Sequence, residues 1–196
     1  MSETTALEAA AGGLVARARD GDTAAMHRLL VQARGTIYRW ALVQTADAAD
    51  AEDVTQEVLI RLHGSLHRYH GRSRFTTWLY QVTRNEASNL RRRWRRRLRL
   101  ADALAHEEAM ASETTDDPLE RVHAAKVAAA VEALLMHLPR RQREVFHLAD
   151  LEGCPLVETA ERLGVSAVTA RVHLFHARRT LRARLLERWP SLAEEE

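Results

Sequence analysis

The sequence predicts an all-α chain of two small helical domains joined by an acidic tether. Hydrophobic residues fill 46% of the 196 positions, enough for real cores, while 8 Gly and 4 Pro are too few for a β-rich or disordered chain. Apolar residues recur at helical spacing on both sides of residue 100. Between them, ADALAHEEAMASETTDDPLE at 101–120 is acidic, poor in large apolar residues and closed by Asp-Asp-Pro, the composition of a linker. The expected division is 1–99, a four-helix domain; 100–120, the linker; and 121–190, a domain ending in a helix-turn-helix.

Residues 6–19 and 23–45 read as the first two helices, with Asp20-Gly21-Asp22 between them as turn and N-cap. Met26, Leu29, Leu30, Ile37, Trp40 and Ala41 roughly keep one side of the second. A third helix starts near Asp47 or Asp50, whose carboxylates can cap free amides and complement the helix dipole, and ends around Leu66. His67–Arg74 reads as a loop, and a fourth helix runs from about Phe75 into the run of arginines. Beyond the linker, Leu119–His137 reads as a helix, and Pro139 suits the first turn of the next, RRQREVFHLADLE. Gly153-Cys154-Pro155 breaks the chain before a short helix at 156–163, a Gly164-Val165-Ser166 turn and a long helix at 167–188.

The net charge of +2 conceals strong segregation. Residues 1–60 carry 9 acids against 5 Arg, whereas residues 61–100 carry 12 Arg against a single acid, Glu86. Local charge governs what such a surface touches. At 100° per residue the third helix puts Val54, Val58, Leu59, Leu62 and Leu66 on a core side, and Asp53, Gln56, Glu57 and Ile60 on the opposite side. A solvated polar face would account for the carboxylates alone. An isoleucine among them marks a protein contact instead.

On the fourth helix Phe75, Trp78, Leu79 and Val82 begin an apolar stripe that drifts toward Leu90 and Trp94. Thr77, Gln81, Arg84, Ser88, Arg91, Arg92 and Arg95 share the other face, where amide, hydroxyl and guanidinium groups can grip phosphates and read base edges. Seven Arg within positions 91–99 repel one another, so a polyanion partner explains them better than solvation does.

At Leu156–Arg179 the spacing is that of a helix-turn-helix, whose second helix enters the DNA major groove. Gly164 permits the backbone reversal, and Ser166 can cap the recognition helix. Thr169, Arg171, Val172, His173, Phe175 and His176 are the base-edge candidates, with Arg178, Arg179, Arg182 and Arg184 better placed for phosphates.

Other classes find less support. Cys154 is the sole cysteine, which excludes an intramolecular disulfide and a Cys-based zinc cluster. A catalytic thiol is not expected there, since Pro155 follows and the helix-turn-helix begins. His63, His67 and His70 have partial metal-ligand spacing, but the third falls in a loop without a nearby Cys, so no metal is expected. No cofactor is expected, nor is an enzyme: there is no clustered carboxylate pair, nucleophile–base pair or phosphate loop. No signal peptide and no 18-residue apolar run occur, so a cytoplasmic protein without membrane insertion is expected. A free-standing helix-turn-helix regulator of duplex DNA would explain 156–188, though not the acidic face or the Phe75–Tyr80 block.

Three blocks in this order resemble the extracytoplasmic-function (ECF) sigma factors of bacterial RNA polymerase: DAEDVTQEV at 50–58, GRSRFTTWLY at 71–80 with Arg84-Asn85, and LPRRQREVF at 138–146. The resemblance covers about residues 20–97 and 126–187. It implies a sigma-2-like domain followed by a sigma-4-like one. The first would bind core polymerase at the β′ clamp helices through Asp50, Asp53, Gln56, Glu57 and Ile60. It would also melt and read the −10 element with Tyr69, His70, Arg72, Ser73, Arg74, Thr77, Trp78, Gln81, Arg84, Asn85, Ser88, Arg91 and Arg92. The second would meet the β flap and read the −35 element with Ser166, Thr169, Arg171, Val172, His173, Phe175, His176, Arg178 and Arg179. Promoter DNA and an anti-sigma factor are the further partners it implies, and the linker would thread toward the polymerase active centre.

The chain departs from the family pattern at several positions. Asn89 stands where Asp is frequent, and Pro155 and Val157 replace Ser and Glu. Thr159 replaces a large aliphatic residue. In the recognition helix Val168 replaces Gly, Ala170 replaces Val, Val172-His173 replaces Ser-Arg, and His176 replaces Arg. Fewer fixed positive charges there weaken the expected grip on phosphate.

Overall fold

A computed structural model describes residues 3–104 and 133–188, and among these residues it contains helices and no strand. Helices α1 (Glu3–Arg19), α2 (Thr23–Thr45), α3 (Ala48–Ser65) and α4 (Phe75–Leu104) make the first half. After a helical turn at 133–136 come α5 (Arg140–Phe146), α6 (Leu156–Leu163) and α7 (Ala167–Arg188).

The expected caps are present. Asp22 accepts the Ala25 amide at 2.9 Å and starts α2. That bond, with Arg17 at 2.5 Å, holds its carboxyl below the usual carboxylate range. Asp47, rather than Asp50, caps α3, accepting the Asp50 amide at 2.8 Å. Gly164 ends α6 in the left-handed region at φ 62, and Ser166 Oγ accepts the Thr169 amide at 3.0 Å to open α7.

Some boundaries differ from the sequence reading. α1 begins at Glu3 rather than residue 6. The segment expected as a loop from His67 opens with a 3-10 turn at Leu66–Arg68. α4 continues to Leu104, past the boundary placed at 100, because Ala101, Ala103 and Leu104 are good helix formers and no Gly or Pro intervenes. Beyond α5 the helix widens into a π turn over His147–Leu151. The rest of the linker and most of the helix expected at 119–137 lie outside the described residues.

Packing follows the apolar stripes. Leu29, Ile37, Trp40 and Ala41 of α2 and Val54, Val58 and Leu62 of α3 are buried, with Leu66 just beyond, as their spacing requires; Met26, Leu30 and Leu59 are half-buried. On α4 the buried line is Phe75, Thr76, Leu79, Tyr80, Thr83, Glu86 and Ala87. It is rotated from the line expected through Trp78 and Val82, which are half-buried, to Trp94, which is 46% exposed. Glu86, 3% exposed, is tolerated because Arg61 lies 2.8 Å away and Asn89 donates to it. The apolar cluster does not stop at the first half: it includes Val145, Leu148, Cys154, Leu163 and Leu174. A smaller cluster joins Leu135 and Leu138 to Ala177 and Leu181 of α7.

Candidate polymerase and nucleic-acid interfaces

α3 and α4 enclose a groove of about 290 Å³ lined by Asp53, Gln56, Glu57, Ile60, Leu90, Arg93 and Trp94. Four of the five residues expected to bind core polymerase therefore share one concavity. Asp50 lies a turn away at the N-terminus of α3 and is half-buried. Ile60 is 67% exposed, held out by the buried Val54, Val58 and Leu62 on the other side of α3. Leu90, Arg93 and Trp94 were not assigned to this site from sequence. Their phase on α4 becomes readable only once the helix is rotated to its true buried line.

Residues expected at the −10 element divide into three environments. Tyr69 and Trp78 form an aromatic cluster with Phe75, the Tyr69–Phe75 rings 5.7 Å apart and Tyr69–Trp78 5.5 Å. The Tyr69 hydroxyl donates to the Ser73 carbonyl at 2.6 Å, closing the loop, and burial raises its pKa. His70, Arg72, Ser73, Arg74, Asn85 and Arg92 are exposed, and Arg92 donates to Asn89 at 3.1 Å. Thr77, Gln81, Arg84, Ser88 and Arg91 are half-buried. Gln81 donates its amide to the Arg162 carbonyl of α6, and Arg84 reaches within 3.8 Å of where a Cβ on Gly164 would lie. Arg74 is 3.5 Å from Glu158. Arg91 donates to the Gln44 carbonyl at 3.1 Å and to Ser88 at 2.9 Å; burial and the nearby Arg140 lower its pKa.

The two halves are joined by further polar contacts. Arg143, 5% exposed, donates to the Val43 carbonyl at 2.7 Å and to the Met136 carbonyl at 2.9 Å. Gln44 is buried between Tyr80, to whose hydroxyl it donates at 2.9 Å, and Arg140 at 3.4 Å. Arg140 and Arg141 in turn hold the fully buried carboxylate of Glu144 at 2.5 and 3.0 Å. Trp40, packed edge-on against Tyr80, donates from Nε1 to Glu152 at 2.6 Å. His147 Nε2 lies 3.1 Å from the same oxygen. Burial pushes the Glu152 carboxyl up, but the bonds and charge of His147, with Trp40 and Thr4, outweigh it and leave its pKa below the ordinary value.

Glu8 of α1 accepts the Phe75 and Thr76 amides at 3.1 and 2.8 Å, capping α4 where the 69–74 loop enters it. Glu8, Gln44, Arg143 and Glu152 went unassigned in the sequence reading. A Glu from 67 residues upstream carries no local capping signal, and polar contacts across 100 positions follow no period.

The candidate recognition surface lies on α7, held by Ala170, Leu174, Ala177 and Leu181 on its inner side. Thr169, Arg171, Val172, Phe175, His176 and Arg179 are exposed, and His173 is half-buried. Ser166 is spent on the cap. Arg178, although exposed, has its fork occupied by Asp150 at 2.8 and 2.6 Å, which raises its pKa.

Comparison with known proteins identifies the family. The family model for sigma-70 region 2 matches residues 29–97, and that for sigma-70 region 4 matches 128–181. The chain is 30% identical over 175 residues to the ECF RNA polymerase sigma factor SigF of Caulobacter vibrioides, covering 88% of this chain and 92% of that one. The chain belongs to the ECF sigma factors. It is also 33% identical to the ECF sigma factor SigE of Mycolicibacterium smegmatis, over 83% of its own length and 63% of SigE. With the probable sigma factor RfaY of Xanthomonas campestris pv. campestris identity is 32%, over 85% of this chain and 42% of RfaY. The chain thus spans less than two thirds of those two relatives. The sigma factor RpoE of Bartonella quintana, solved with the anti-sigma factor NepR, shares the fold at a TM-score of 0.62 and 20% identity, over 81% of this chain and 95% of that one. In this ECF chain α1 lies upstream of the region 2 match, so the Glu8 cap is supplied from outside it. Among the described residues no helix is long and apolar enough to cross a membrane.

Proposed function

We propose that this ECF family member is a non-catalytic, cytoplasmic promoter-specificity subunit: it binds core RNA polymerase, recognises −10 and −35 elements and directs initiation. The observation that carries the reading is the α3–α4 groove, where carboxylates, an exposed Ile60 and the half-exposed Trp94 converge. Apolar Ile60, Leu90 and Trp94 beside the Asp53 and Glu57 carboxylates of α3, with Arg93 on the α4 side, fit a basic helix pair such as the β′ clamp helices. The exposed arginines immediately along α4, Arg92, Arg93, Arg95 and Arg96, then face an adjoining polyanion.

In this reading residues 1–99 form the core- and −10-binding domain and 121–190 the −35 and β-flap domain. The 100–120 linker runs between them through the enzyme. An anti-sigma factor is the proposed regulator, in line with the partner recorded for the Bartonella quintana relative.

The test is charge reversal in the groove. Asp53→Arg with Glu57→Arg should abolish capture by core polymerase while helical content and unfolding midpoint stay as in the parent, because both side chains are exposed. Undiminished binding to core would refute the assignment.

A further inference from the structure

Val168, Val172 and Phe175 lie at i, i+4 and i+7 on α7 and are 66%, 48% and 60% exposed. They form its outward line, diametrically opposite the buried Ala170, Leu174 and Ala177. One turn further the same line continues in exposed Arg179, and Arg171 flanks it. This is an apolar ridge with cationic margins, standing free of the rest of the fold on the second helix of a helix-turn-helix.

The margin decides what covers the ridge. Guanidinium groups beside it match the phosphates that wall a DNA groove. Within the major groove the apolar feature of the base edges is the C5-methyl group of thymine. Residues four apart on a helix are separated by about 6 Å along its axis, against a base step of about 3.4 Å, so Val168 and Val172 can meet methyls about two steps apart.

We propose that this chain reads thymine methyl groups with Val168 and Val172, continued by Phe175, so that the −35 element it selects depends on thymines at the positions these side chains reach. The inference rests on the reading of α7 as the −35 helix and adds the chemistry of what that helix reads. Valine offers no hydrogen bond, so discrimination at these positions comes from apolar contact, while Arg171 and Thr169 remain available for polar base edges.

Holoenzyme reconstituted with core polymerase selects promoters from a duplex library randomised over the −35 and −10 windows. The winning duplex is remade with deoxyuridine for thymidine in the −35 window alone, which deletes methyls and keeps every hydrogen-bonding group. Each lost methyl contact is worth about fourfold, so two should weaken binding on the order of tenfold. Holoenzyme carrying Val168→Ala, Val172→Ala and Phe175→Ala should bind the two duplexes within about twofold of each other; alanine is the better helix former at all three exposed positions, so folding is preserved. Equal binding of both duplexes by the parent holoenzyme, or a selected −35 element without thymine, overturns the inference while initiation leaves the sigma reading intact; the ridge is then a protein contact. A chain that forms no holoenzyme overturns the functional reading and this inference with it.

Discussion

Glu152 joins the second half of the molecule to Trp40 and has a definite acid signature. Its carboxyl titrates below the ordinary 4.5 because His147, Trp40 and Thr4 favour the anion more than burial opposes it. The folded chain therefore holds the proton less tightly than the unfolded chain. The stability this group contributes is complete above 4.5 and is lost as pH falls through the folded-state value. Urea unfolding midpoints measured against pH should show this loss in the parent, and Glu152→Gln should lack that component of the acid limb. Glu8 acts in a similarly local way: by accepting two amides it fixes the first turn of α4. Glu8→Ala should lower stability by about 1 kcal/mol, as loss of a helix cap does. Hydrogen exchange at the Phe75 and Thr76 amides should accelerate, whereas amides in the middle of α3 should be unaffected.

Among the elements, α2 depends most on its neighbours. It has no basic residue in its last turn, so Arg143 of α5 and Arg91 of α4 satisfy the Val43 and Gln44 carbonyls there. Arg143→Ala should cost about 2–3 kcal/mol in denaturant unfolding, because the buried Val43 carbonyl and the half-buried Met136 carbonyl lose their donor. Arg143→Lys should recover little of it, since an ammonium lacks the planar fork that spans Val43 and Met136. These dependencies mark where sequence reading ends. Helix limits were legible wherever a cap sat next to an apolar repeat, as at Asp22 and Asp47. The groove residues of α3 were legible from a single helical projection. The face of α4 was only partly so: Thr76, Thr83 and Glu86 are polar and yet buried, and the eye follows Trp78 and Trp94 instead. The Gln44 and Arg143 contacts were illegible for a different reason, since buried polar pairing follows no period and depends on a neighbour far along the chain.

Taken whole, the molecule is folded closed. The second half sits on the face of α4 that carries Gln81 and Arg84, so under the proposed −10 assignment DNA and α6 compete for those two side chains. The outward ridge of α7 stays open in this arrangement. Binding a single-stranded −10 oligonucleotide should therefore release α6. Amides around Leu163 and Gly164 should exchange faster with the oligonucleotide present, measured by mass spectrometry on the full chain. Unchanged protection would mean that the packed halves admit the strand as they are.

Two of the bonds that close the molecule have one further property. Gln81 and Arg143 grip main-chain carbonyls, those of Arg162 and Val43, rather than side chains. A carbonyl survives every substitution at its own position. Evolution can therefore rewrite positions 43 and 162 without erasing these two attachments, and each half of the chain can diverge in sequence while the other still recognises its backbone.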